Sequence, residues 1–156
     1  MADFVFNIAK GHVSEYAARI LGNDPATSKF TAVLLNNSVV DATAEDYDNL
    51  SLVLGDAGTT ESIVTNYARK DLDETGGPDV IRTVDDTNNR IDIDTVDITW
   101  TALGNGVNEL LSDLIFCYNP TGGADTTLVP LTQHDFVIQT DGSDVTAQVT
   151  NFFRAS

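Results

Sequence analysis

A chain of 156 residues, 42 % of them hydrophobic, has enough material for one domain with its own buried core. It carries 24 acidic residues against 8 basic, a formal net charge of -16, which argues against duplex DNA or anionic lipid as a direct partner because both demand a basic footprint. Asp supplies 19 of the acids and Thr is as frequent; Asp collects in turns and caps and Thr suits half-buried strands, so short strands and many turns are expected.

Phe4-Val5-Phe6 reads as a short strand or extended anchor. No cationic stretch followed by an apolar one opens the chain and no apolar run approaches a membrane span, so a protein made and used in solution is expected. Val13, Tyr16, Ala17, Ile20 and Leu21 recur at helical spacing, which predicts a helix over about residues 8–21, capped by Asn7 and closed by Gly22 at C′. Residues 30–35 read as a buried strand. A capping box with Asp in place of Glu, at Thr43 to Asp46, precedes Tyr47, Leu50, Val53 and Leu54 on one helical face, and Gly55 closes this second, shorter helix.

Beyond Gly55 the period changes to that of strands. Residues 62–68 form a predicted strand, residues 74–78 a loop and residues 85–89 a polar turn. Ile91 and Ile93 then share one face opposite Asp92 and Asp94, whereas Val96, Ile98 and Trp100 have the other parity, so a bulge or bend is predicted near Asp94-Thr95. Residues 111–118 are apolar on both faces and read as a central strand. Leu128-Val129 is expected to pair briefly before Pro130, and residues 136–138 and 145–153 are expected to form a hairpin about Asp141-Gly142-Ser143-Asp144. The predicted architecture is one α+β domain, mainly β, over residues 1–156, with two short N-terminal helices packed on an antiparallel sheet, as a sandwich or open barrel.

Motifs for chemistry are few. There is no G-x-S-x-G elbow and no phosphate-binding G-K-[ST] sequence. His12 and His134 are the only histidines; His134 and Asp135 are neighbours on a predicted strand, so they point to opposite faces and make a poor dyad. Cys117 is the single cysteine, which excludes an internal disulfide, and its apolar neighbours make it a small buried hydrophobe. Two Asp-rich turns could supply calcium ligands, one through Asp85, Asp86, Asn88 and Asn89 and one through Asp141, Ser143 and Asp144, yet neither follows the spacing of a calcium loop; solvated turn carboxylates are the simpler expectation. No cofactor and no enzymatic activity are expected.

The opening residues, Met1-Ala2-Asp3-Phe4-Val5-Phe6-Asn7-Ile8-Ala9-Lys10-Gly11-His12-Val13-Ser14-Glu15-Tyr16, resemble the start of a group of small tailed-phage structural proteins, with His12 where that group commonly has Arg. The resemblance continues in Asn23-Asp24-Pro25, Asp46-Tyr47-Asp48, Asp85 to Arg90 and Asp97-Ile98-Thr99-Trp100. It takes in Pro130-Leu131-Thr132, His134-Asp135-Phe136, Asp141 to Ala147 and the ending Phe152-Phe153-Arg154-Ala155-Ser156. What it implies is a non-enzymatic virion protein, made in the host cytoplasm, that decorates the outer capsid surface and cements the major capsid protein as a homo-oligomer, a trimer by preference. A cement protein also needs an apolar patch that is covered only on assembly. Phe4, Phe6, Phe152 and Phe153 are the candidate oligomer or capsid contacts, with filling of the monomer core as the competing role. Two other readings stay open: a tail or head-tail joining component, and a carbohydrate- or calcium-binding module on the particle surface.

Overall fold

The computed structural model describes residues 3–39 and 41–155; Met1, Ala2 and Ser156, which belong to the terminal segments of the resemblance, and Val40 lie outside the described residues. In chain order the first elements are strand β1 (Phe4–Val5), helix α1 (Val13–Leu21), β2 (Lys29–Asn37), α2 (Asp41–Ala44) and α3 (Leu50–Gly55). Strands β3 (Thr60–Glu61), β4 (Lys70–Leu72), β5 (Val80–Asp85), β6 (Arg90–Thr95) and β7 (Ile98–Trp100) follow. The chain ends with β8 (Leu110–Asn119), β9 (Val129–Gln139), β10 (Val145–Ala147) and β11 (Phe153–Ala155).

All strand pairs are antiparallel. The large sheet runs β1-β9-β8-β2-β3, with β4 also on β2; β11-β6-β5 and β10-β7 form two smaller sheets, and among the described residues nothing closes into a barrel. The predicted fold class, mainly β with short helices on antiparallel sheets, is the one observed. The centre is the pair β2–β8, in register from Lys29 opposite Asn119 to Leu35 opposite Asp113. These strands are apolar on both faces because both faces are covered. On one face Phe152 stacks on Phe116 with centroids 4.4 Å apart and meets Phe30 edge-on, while Tyr16 of α1 stacks on Tyr118 at 4.3 Å.

Several expected elements are built differently. The first helix begins at Val13, because Gly11 at φ 86° breaks the run; residues 7–9 form a 3₁₀ turn instead, and the Asn7 side chain reaches Asp46 rather than capping. Gly22 stays in the right-handed region, and the left-handed residue is Asn23 at φ 51°. The capping box at Thr43 is not used: α2 contains Thr43, and α3 is capped by Asn49, whose side chain accepts the Leu52 N–H at 3.0 Å. Residues 62–68 are not a strand, since a turn at Thr65-Asn66, closed by the Tyr67 N–H on the Val64 carbonyl at 3.0 Å, interrupts them and Asn66 is left-handed.

The parity break after Ile93 is real and marks a change of sheet: β6 lies in the three-stranded sheet and β7 pairs with β10. Asp92 is not solvated there. It is buried, accepting from Arg154 Nε at 2.6 Å and facing Arg90 Nε at 3.2 Å. β9 is one strand of 11 residues that runs through Pro130, which the ladder tolerates because the register shifts between Phe116 and Cys117 on the facing strand. The expected hairpin about residues 141–144 does not form. That turn bonds to the loop after β7 instead, through Leu103 N to Ser143 O at 3.0 Å and Gly142 N to Leu103 O at 2.9 Å, and it carries the chain away from β9 into β10.

Candidate functional site

On β9 alternate residues share a face, so Thr132, His134 and Phe136 look the same way, together with Leu114 and Phe116 of the neighbouring β8. This face is closed by α1 and Phe152 at one end, but toward β1 it is open. Asp3, Phe4 and Val5 form one wall of the opening and residues 147–152 the other, enclosing a groove of about 400 Å³. Two aspartates fix the second wall. Asp97 Oδ1 accepts the Val149 N–H and Asp94 Oδ1 accepts the Asn151 N–H, each at 3.0 Å. Asn151 at φ 51° then turns Phe152 down into the core. The groove floor is apolar, made by Leu114, Phe116 and Phe152, and its rim is polar, with Asp3, Asp135, Gln148 and Thr150.

One hydrogen-bonded chain crosses the rim. His134 Nδ1 lies 3.1 Å from Asp3 Oδ2, and His134 Nε2 lies 2.9 Å from Thr132 Oγ1. The order carboxylate, imidazole, hydroxyl is that of an activated nucleophile. Thr132, however, is only 1 % exposed, at the bottom of the groove it helps to line. The second Asp3 oxygen accepts the Asp135 N–H at 2.9 Å, which makes Asp3 a clasp of β1 on β9. Partial burial pushes its carboxyl up, but the bonds from the Asp135 N–H and from His134 outweigh it and hold Asp3 below the ordinary carboxylate range. No local pattern announces this contact, because Asp3 and His134 stand at opposite ends of the chain.

The four phenylalanines at the termini divide. Phe6 is fully buried and Phe152 nearly so, and both are core side chains rather than free contacts. Phe4 and Phe153 are half-buried: Phe4 packs 5.0 Å from the Phe6 ring, and Phe153 lies in β11 opposite Ile93. The two Asp-rich turns are each engaged internally. Asp85 accepts the Asn88 N–H at 3.1 Å and the Asn88 Nδ2 at 2.7 Å, and these bonds hold its carboxyl below the ordinary range; Asp86 and Asn89 lie in the same turn. Asp141 is lowered in the same way by the Ser143 hydroxyl and N–H, while Asp144 accepts the Ala102 N–H at 2.9 Å. Among the described residues no three His, Cys, Asp or Glu side chains gather as metal ligands. Cys117 is fully buried in β8, and burial pushes its thiol up, away from reactivity.

A surface feature that the sequence did not single out lies at one end of the large sheet. Among the described residues the four most exposed large apolar side chains are Ile63 at 87 %, Val137 at 70 %, Val107 at 66 % and Leu110 at 55 %. Glu109, the residue before β8, links the segments that carry three of them. Glu109 accepts the Ser62 hydroxyl beside Ile63 at 2.5 Å, its carbonyl accepts the Thr140 N–H at 2.9 Å, and Leu110 pairs with Gln139 next to Val137. No helix among the described residues is long and apolar enough to cross a membrane. Comparison with family models, with curated proteins and with solved structures finds no match to this chain.

Proposed function

We propose that this chain is a non-enzymatic structural protein of a tailed-phage particle, a decoration protein that binds the outer surface of the head and stabilises it. The observation that carries the reading is the apolar end of the large sheet, Ile63, Val107, Leu110 and Val137, on a chain that is otherwise strongly acidic. Apolar side chains this exposed are a cost to a solitary protein and a gain to one that is covered on assembly, at about 25 cal/mol for each Å² removed from water. The net charge of -16 keeps such a protein soluble before assembly and directs it to a basic surface. The resemblance of the terminal segments to small virion proteins supports the same reading.

Heads that lack the chain provide the test. Purified protein added back is expected to co-sediment with them and to raise the temperature at which they release their contents, as a ligand of the folded shell should. Failure to co-sediment at micromolar concentration counts against the reading.

A further inference from the structure

The sequence holds one Asn-Gly pair, Asn105-Gly106, and one Asp-Gly pair, Asp141-Gly142. Both have the same latent chemistry, because glycine bears no Cβ to keep its backbone nitrogen from the side-chain carbonyl before it. The fold treats them differently. The Gly142 N–H is held by the Leu103 carbonyl at 2.9 Å, and the Asp141 carboxylate by the Ser143 hydroxyl and N–H. Asn105 and Gly106 are both exposed. Among the described residues the Gly106 N–H and the Asn105 carboxamide make no hydrogen bond, and a Cβ added at Gly106 would stand in open space. The loop closes around the pair through two long bonds, Asn105 N to Ala102 O at 3.3 Å and Val107 N to Gly104 O at 3.2 Å, which open at little cost.

A carboxamide carbon and the backbone nitrogen that follows it react as neighbours within one molecule, which supplies the proximity that two separate reactants lack. With its proton taken by hydroxide, the Gly106 nitrogen attacks Asn105 Cγ. The N–Cγ bond forms, the Cγ–Nδ2 bond breaks, and ammonia leaves with a proton from water. Water then opens the five-membered succinimide. Opening at Cγ leaves aspartate at position 105; opening at the backbone carbonyl leaves isoaspartate, with the chain running through the side chain. Nothing is oxidised or reduced, and solvent supplies the only other reactants.

We propose that Asn105 is a site of self-modification in the folded protein, converting through a succinimide to aspartate and isoaspartate, while the bonds on Asp141 and Gly142 keep that pair from the same reaction. The new carboxylate stands two residues from Val107, which is 66 % exposed, on a chain already at -16, and so alters the charge beside that apolar side chain. Isoaspartate also lengthens the backbone where Asn105 packs on Gly142, since a Cβ at Gly142 would lie 3.4 Å from Asn105 Cα. The modification goes beyond the proposed function and does not rest on it, because its readout is a mass.

The test holds the purified chain, folded or unfolded in urea, in mildly acidic and mildly alkaline buffer for days, and follows it by peptide mass spectrometry and enzymatic methylation of isoaspartate. In the folded chain the peptide with residues 105–107 is expected to gain about 1 Da, an amide replaced by a carboxyl, faster in the alkaline buffer and ahead of every other Asn. Asn105→Gln, at an exposed position, should melt like the unmodified chain and lose the conversion. Isoaspartate formation at Asp141 should be several-fold faster in urea than in the folded chain. No conversion at Asn105 in the folded chain, with or without conversion in urea, overturns the proposal. So does a folded chain in which another Asn converts first, or an Asp141 rate that unfolding leaves unchanged.

Discussion

Gly104 shows how much one position can hold in place. It sits at φ 85° in the loop after β7, and an added Cβ would meet the Thr140 side chain, with Thr140 Cβ 2.7 Å away. Thr140 is fully buried and its hydroxyl accepts the Glu109 N–H at 2.8 Å, so it cannot step aside. Gly104→Ala is expected to cost about 2–3 kcal/mol in urea unfolding, from backbone strain and overlap together. Gly76→Ala, in open space, should stay within about 0.5 kcal/mol of the original. Acid stability has an equally local source. Arg69 bonds Glu61 and Asp125 together, and its bonds to Asp125 hold that carboxyl below the ordinary range. A depressed folded pKa stabilises the fold above the ordinary carboxylate value and loses that contribution as pH falls through the folded one. Asp125→Asn should therefore be less stable than the original at neutral pH, and the gap should close as pH falls below about 4, read from urea midpoints across the range. At this scale the sequence was only partly legible. Buried Cys117 and the parity change after Ile93 could be read from neighbouring residues. Asp3 on His134, or Asp94 and Asp97 on the wall of the groove, could not, because each joins positions far apart in the chain.

Elements were legible where period and burial agree, and less so where a cap or a partner strand decides. β2 and β8 are apolar on both faces, and no arrangement but a covered central strand satisfies that. The second helix was misplaced because Thr43 to Asp46 has the spacing of a capping box, whereas Asn49 has the geometry. Asn49→Ala should cost about 1 kcal/mol of stability, the usual loss of an N-cap, and Thr43→Ala, exposed within α2, should cost less than half as much in the same urea titration. The hairpin expected about residues 141–144 failed for a different reason. Its turn chemistry is sound, but Leu103 offers both its N–H and its carbonyl to that turn, and the pairing moves to β7. Local sequence specifies that a turn occurs there, and tertiary bonding specifies which strand follows it.

At the scale of the whole molecule, charge and apolar surface are unevenly placed. The acids are spread over turns and rims, whereas three of the four most exposed large apolar side chains among the described residues, Val107, Leu110 and Val137, lie at or near the start of β8 and the end of β9. The phenylalanines at the two termini were the expected contacts; folding buries Phe6 and Phe152 and leaves Ile63, Val107, Leu110 and Val137, from three separated stretches of chain, exposed. Composition gives the net charge of -16, and only the fold gives the face. This face is the proposed attachment surface. Cryo-electron microscopy of the intact particle tests it most directly: the chain should lie on the outside of the head with Val107, Leu110 and Val137 turned toward the shell. Density for the chain in the tail alone, or on the head with that end in solvent, would contradict it.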